Sequence, residues 1–465
     1  MIADLKPYAD YKDSGLPWLG HVPAHWELRP AFGAFVPIGE RNIGMREKTV
    51  LSLSYGRIVV KPAYKLHGLV PESFETYQIV NPGDIVIRTT DLQNDHASLR
   101  VAIVRDRGII TSAYLALHLK AGVNPEFGYQ FLNVWDMTKA IYGYGSGLRQ
   151  GLDFTHFKRM PVALPPPAEQ DAVVRFLSWA TGRLERTIRA KHKVIALLTE
   201  QKQAIINRAI TRGIAGVVQL MPSGNSLLEH IPAHWELSSL RRRWQVLDCK
   251  HLTVPFVEDG IPLASVVQVR NFTLDLSNCK RTKPVWFRQL IEGDRRPKRG
   301  DLIYCRNASV GSCAIVDTDL EFAMGQDVCL IRSTEQNQRF LNYVLHSPFM
   351  KHQLDLRSVG STFKRINVSD IKALTIPVPP RFEQDLICTY LDSELSRFEV
   401  VTSRIAREID LLREYRTRLI AEVVTGKLDV REAVRSLSDE EVTDLLDEPA
   451  DGANDPEHND EEAEA

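Results

Sequence analysis

The feature that most constrains this chain is that it repeats itself. Leu19-Gly20-His21-Val22-Pro23-Ala24-His25-Trp26-Glu27-Leu28 returns as Leu228-Glu229-His230-Ile231-Pro232-Ala233-His234-Trp235-Glu236-Leu237, displaced by 209 residues. Gly83-Asp84-Ile85-Val86-Ile87 is echoed by Gly300-Asp301-Leu302-Ile303-Tyr304. Pro166 to Asp171 (PPAEQD) matches Pro379 to Asp385 (PPRFEQD), with Glu-Gln-Asp displaced by 214. Three matches in one order at nearly one shift mean two copies of a unit of about 210 residues. Residues 29–82 and 238–299 share little, so the frame repeats while the content between its fixed points differs.

Each copy has two parts. The first is rich in short β-like runs broken by Gly and Pro, such as those around Ile85, Val101, Leu302 and Ala314. Helical stretches near residues 128–142 and 339–356 make it α+β. The second part follows a Pro-rich stop and reads as a long helix. From Cys388, steps of three and four give Leu391, Leu395, Phe398, Thr402, Ile405, Ile409, Leu412, Arg416, Leu419 and Val423. The first copy gives Val174, Leu177, Thr181, Leu184, Ile188, Lys191, Ile195, Leu198, Lys202, Ile205 and Ala209. At ~1.5 Å per residue each helix would span ~66 Å. Helices this long bury their stripes most simply against each other. The expected architecture is therefore two globular α+β domains separated by two antiparallel helices in a coiled coil, with an internal pseudo-two-fold suited to the dyad of duplex DNA. The expected divisions are 1–163 for the entry segment and first globule, 164–219 for a central spacer helix, 220–377 for the second globule, 378–435 for a C-terminal spacer helix and 436–465 for an acidic, disordered tail.

Charge is distributed unevenly. Residues 439–465 hold thirteen Asp and Glu and no Lys or Arg; removing those thirteen negative charges from the formal −1 leaves +12 for residues 1–438. A body that basic suits a polyanion through counterion release, although surface charge on a large protein is the plainer explanation. No apolar run approaches the ~18 residues of a membrane span and no signal-peptide core opens the chain, so a cytoplasmic location is expected. The six cysteines, Cys249, Cys279, Cys305, Cys313, Cys329 and Cys388, show no zinc-like spacing and read as reduced, buried thiols.

At this point the residues carry a resemblance. Tyr11-Lys12-Asp13-Ser14-Gly15, Trp18-Leu19-Gly20 and Val/Ile-Pro-x-His-Trp, then PP-x-x-EQ opening a long helix, twice over, resemble the DNA-specificity subunit of Type I restriction-modification systems over residues 11 to about 430. The second entry departs from the pattern with Asn225-Ser226-Leu227 where the first has Leu16-Pro17-Trp18, and the acidic tail lies outside it. The resemblance implies that each globule is a target-recognition domain reading one half of a split double-stranded DNA site. It implies that the helices set the gap and hold methyltransferase subunits, expected to number two, and that cleavage and translocation belong to separate restriction subunits. No cofactor, metal or membrane partner is implied.

Base readers need polar side chains on loops that reach the grooves. In the first copy the best stretch is the loop carrying Arg88, Asp91, Gln93, Asn94, His96 and Arg100, and in the second Arg306, Asn307 and Ser309. Glycine-flanked basic segments before each Pro-rich stop add Arg149 and Gln150, then Thr362, Lys364 and Arg365. Solvated turns with incidental charge are the competing explanation for all four. His21, His25, His230 and His234 recur as pairs, but no Cys or acidic set repeats with them, so packing or capping outweighs a metal; Trp26 and Trp235 read as core. No phosphate-binding loop, methyltransferase Asn-Pro-Pro-aromatic run or G-x-S-x-G elbow is present, so catalysis is expected from partners. The rival reading is a structural adaptor whose two globules bind proteins; a nuclease with an unrecognised site is a third.

Overall fold

The computed structural model describes residues 5–62, 73–89, 99–144, 151–214, 216, 218–270, 272–357 and 365–437. The chain forms two compact units, residues 1–190 with 408–465, and residues 191–407.

The first unit is built on a four-stranded antiparallel sheet in the order Phe35–Pro37, Leu115–Leu119, Ile85–Ile87, Val101–Ile103. Side chains alternate across a strand. Accordingly Ile85, Ile87, Val101 and Leu117 enter a core with the helix Pro125–Met137, while Val86, Ala102 and Ala116 face a second core containing Leu51, Val80 and Ile110. Both faces are dry, which is why these strands read as unbroken apolar runs.

The second unit repeats this sheet with Gln245–Asp248, Val328–Arg332, Leu302–Cys305 and Cys313–Ile315 in the same order. Leu302, Tyr304, Cys329 and Ile331 turn toward the helix Gln338–Leu345, and Ile303, Cys305, Val328 and Leu330 turn the other way. The helical stretch expected near 339–356 is formed by two helices, Gln338–Leu345 and Pro348–Arg357. Pro348 has no N–H to continue the ladder, and the Ser347 hydroxyl accepts instead from the Met350 N–H at 3.2 Å. All six cysteines are free; five are buried and Cys279 only partly so.

The two long helices are Pro167–Arg212 and Arg381–Val424, 46 and 44 residues. In the first unit the opening turns of one, through Val173, Phe176 and Leu177, share a core with the closing turns of the other, through Leu419, Ile420 and Val423. In the second unit Ile206, Ala209 and Ile210 from the end of the first helix meet Ile387, Cys388 and Leu391 from the start of the second. The paired segments are therefore antiparallel within each unit. The seam is partly polar, with Lys202 paired to Glu399 at 3.3 Å and Arg416 to Glu185. No helix among the described residues is long and apolar enough to cross a membrane.

Candidate nucleic-acid interface

The repeated Glu-Gln-Asp is what fixes the frame. Glu169 is buried and accepts from the Tyr8 hydroxyl at 2.7 Å and the Trp26 indole at 2.8 Å, and its other oxygen lies 2.8 Å from His25 Nε2. Glu383 holds His234 at 2.6 Å and Trp235 at 2.9 Å in the same way. The glutamine next in sequence accepts a backbone N–H: Gln170 from Asn124 at 2.8 Å, Gln384 from Asn337 at 2.9 Å. The aspartate accepts from the same asparagine's side chain, at 2.7 Å for Asp171 and 2.6 Å for Asp385. Asn124 and Asn337 are N-caps, each accepting from the backbone of the second and third residues beyond it. One tripeptide thus ties the entry segment, the domain helix and the start of the long helix together. The recurring histidines belong to this clamp.

On that frame, segments far apart in sequence meet where the chain leaves the central strand of each four-stranded sheet. In the second unit the chain leaves the strand Leu302–Cys305 through Arg306 and turns back through Ala308 at φ +55° and Gly311 at φ +93°. A β-bridge joins Asn307 to Arg365, and the Ile366 N–H donates to the Arg306 carbonyl at 3.0 Å. In the first unit the Leu152 N–H donates to the Thr89 carbonyl, also at 3.0 Å. In both copies, then, the chain leaving the central strand is hydrogen-bonded to the segment before the Pro-rich stop.

The individual candidates divide. Asn307 is half-buried, and Ser309 and Arg365 are exposed, at this junction. Arg88 is half-buried at the end of its strand. Arg100 and Arg306 point inward. The Arg100 backbone N–H donates to Asp136 at 2.6 Å, and its guanidinium donates to the Arg88 carbonyl at 3.3 Å and lies 5.8 Å from the Tyr142 ring. Arg306 donates to Asp248 Oδ2 at 3.3 Å and lies 3.4 Å from His251 Nε2. Both guanidinium groups are engaged by the protein. Asp91, Gln93, Asn94, His96, Arg149, Gln150, Thr362 and Lys364 lie outside the described residues.

The structure also brings in residues that the sequence did not single out. Residues 248–251 and 326–327 border the turn: the Cys249 thiol donates to the Gln326 carbonyl at 2.8 Å, and the Asn307 amide donates to Asp327 at 3.3 Å. Their only cue in sequence was a polar stretch after an apolar one, as common in ordinary loops. Asp248, Cys249 and His251 place one ligand atom each within 4.8 Å of one another, so a metal has to be tested. The donor set fits poorly. The Arg306 cation already contacts the carboxylate and imidazole atoms that an ion would need, and burial pushes the Cys249 thiol up, toward its neutral form.

Known proteins resemble the chain in sequence and in fold. The model of the Type I restriction modification DNA specificity domain matches residues 292–409. The MjaVIII specificity subunit of a Type I restriction enzyme from Methanocaldococcus jannaschii is 22% identical over 365 residues, 76% of this chain and 81% of that protein. A second protein of that organism, the putative type I restriction enzyme MjaX specificity subunit, is 20% identical over 433 residues, 89% of this chain and 96% of its own length. A solved chain from a study of complex assembly and conformational transition in the type I R-M system superposes with a TM-score of 0.63 at 16% identity, covering 88% of this chain and 99% of its own, a likeness of fold. In its duplicated sequence, its paired long helices and its two sheets, the chain thus resembles the specificity subunits of Type I restriction-modification systems.

Proposed function

We propose that the protein is the DNA-reading subunit of a Type I restriction-modification complex, that each unit reads one half of an asymmetric two-part duplex site, and that methylation and cleavage are carried out by partner subunits in the cytoplasm. The observation that carries this reading is the pair of junctions at equivalent sheet ends, where the chain leaving the central strand is hydrogen-bonded to the segment before the Pro-rich stop. The frame beneath them is repeated almost hydrogen bond for hydrogen bond, while the loops themselves share little sequence. Two unlike readers on like supports suit a site whose halves differ.

Partner binding falls to the long helices. They keep apolar side chains in solvent, among them Val194, Leu197 and Val400 in the second unit and Leu411 and Tyr415 in the first. Exposed aliphatic groups on a helix face are the kind of surface that another helix covers. Two methyltransferase subunits and the restriction subunits are the partners this reading assigns.

The test is a gel-shift titration with the chain and its methyltransferase subunits on duplex DNA that carries the motif found by methylation-sensitive sequencing of the host. Binding should weaken steeply with salt, and Lys364→Ala with Arg365→Ala should lower the slope of log affinity against log salt by about two. A complex that binds no DNA, or marks no two-part motif, contradicts the proposal.

A further inference from the structure

The two copies differ at the residue where the chain leaves the central strand. After the first unit's central strand comes Thr89, whose hydroxyl donates to the Ala113 carbonyl at 3.3 Å. The residue in that place in the second unit is Arg306, whose backbone N–H donates to the Asp327 carbonyl at 3.0 Å. Its side chain reaches across to the loop that follows the strand Gln245–Asp248. Asp248 Oδ2 receives both Arg306, at 3.3 Å, and His251 Nε2, at 3.0 Å.

His251 adopts φ +51°, the left-handed region that costs an L-residue energy. Such strain persists where the surroundings over-determine it, and it gathers at functional sites. Yet the His251 side chain is 50% exposed, and its neighbour Lys250 is exposed too, reaching Glu292 at 2.8 Å. A tie meant only to hold a loop down explains the buried arginine. It does not explain why the strained residue is presented to solvent on a loop held by Arg306, the residue next to Asn307 in the chain.

We infer that residues 250–251 form a third reading element of the second unit, with Lys250 and His251 as specificity-determining residues, the Lys250 ammonium donating and the His251 Nδ1 accepting at DNA base edges, and with Arg306 as the positioning residue that holds their loop. This rests on the proposed function and deepens it. An ammonium matches acceptors such as guanine O6 and N7 in the major groove, and an accepting ring nitrogen matches donors such as the adenine N6 or cytosine N4 amino group.

The experiment uses the full chain in complex with its methyltransferase subunits, as the natural sequence and as His251→Ala, Lys250→Ala and Arg306→Lys. The motif marked by each complex is read by methylation-sensitive sequencing. The two loop variants should lose discrimination by roughly 5- to 150-fold at one or two positions of one half-site, with the other half unchanged. Arg306→Lys keeps the charge but loses the planar fork, and should relax the same positions. An unaltered motif in His251→Ala and Lys250→Ala, or a loss spread evenly over all sequences as phosphate contacts would give, overturns the inference. If the natural complex marks a two-part motif and the loop variants copy it, this inference alone fails; if the natural complex marks none, the proposed function fails and takes this inference with it.

Discussion

A carboxylate at the start of each long helix collects the donors of the segment that enters its unit. Glu169 serves three, from Tyr8, Trp26 and His25, and is itself buried; Glu383 serves two, His234 and Trp235, and keeps part of its surface in water. The position suits a negative charge, because the first turn of a helix carries unpaired N–H groups. Burial and the adjacent carboxylate push the Tyr8 hydroxyl far above its usual range, so it remains a donor at any working pH. A buried donor left unpaired costs about 1–3 kcal/mol. Glu169→Ala strands more of them, and more deeply, than Glu383→Ala does. The first substitution should destabilise its unit by about 3 kcal/mol or more and the second by about half as much. Chemical denaturation of the two variants measures both, and equal losses would contradict the account.

Each long helix ends at a glycine in the left-handed conformation, Gly213 at φ +75° and Gly426 at φ +73°. A methyl group at Gly213 would lie 3.3 Å from the Trp235 ring, but at Gly426 it would fall 2.4 Å from the ring of Pro23. Left-handed backbone alone costs an alanine about 1–2 kcal/mol. Gly213→Ala should therefore lose about that much and Gly426→Ala distinctly more, as thermal unfolding would show. These elements also mark where the sequence was legible. Heptad spacing located the helices and the pairing of their stripes, because a stripe at period 3.5 has few ways to be buried. The unbroken apolar runs around Ile85 and Leu302 gave the central strands. What the spacing could not give was direction: Arg100 and Arg306 look like solvent-facing readers in a polar loop, and only the Arg88 carbonyl and the Asp248 carboxylate, 12 and 58 residues away, hold their guanidinium groups inward. His251 was invisible for a related reason, since Asp248 is local but Arg306 is brought to it only by the sheet.

Across the whole molecule, the two units obtain the same join by different means. In the second, the end of the first long helix runs on through Gly213 into the strand Leu220–Asn225. In the first, the end of the second long helix meets residues 5–13 without a covalent link. The Asp429 N–H donates to the Lys6 carbonyl at 2.8 Å, the Tyr11 hydroxyl to the Lys427 carbonyl at 3.2 Å, and Lys427 Nζ to the carbonyls of Leu19 and His21 at 3.2 and 2.9 Å. A variant opened at residue 216, with residue 437 joined to residue 5 by a short flexible linker, should keep the parent's circular dichroism spectrum and the same methylated motif. Failure of that variant to fold would show that the covalent and non-covalent joins are not interchangeable. If it folds, translation can begin ahead of either reader, and a genomic rearrangement that trades the gene's two halves would leave the encoded specificity intact.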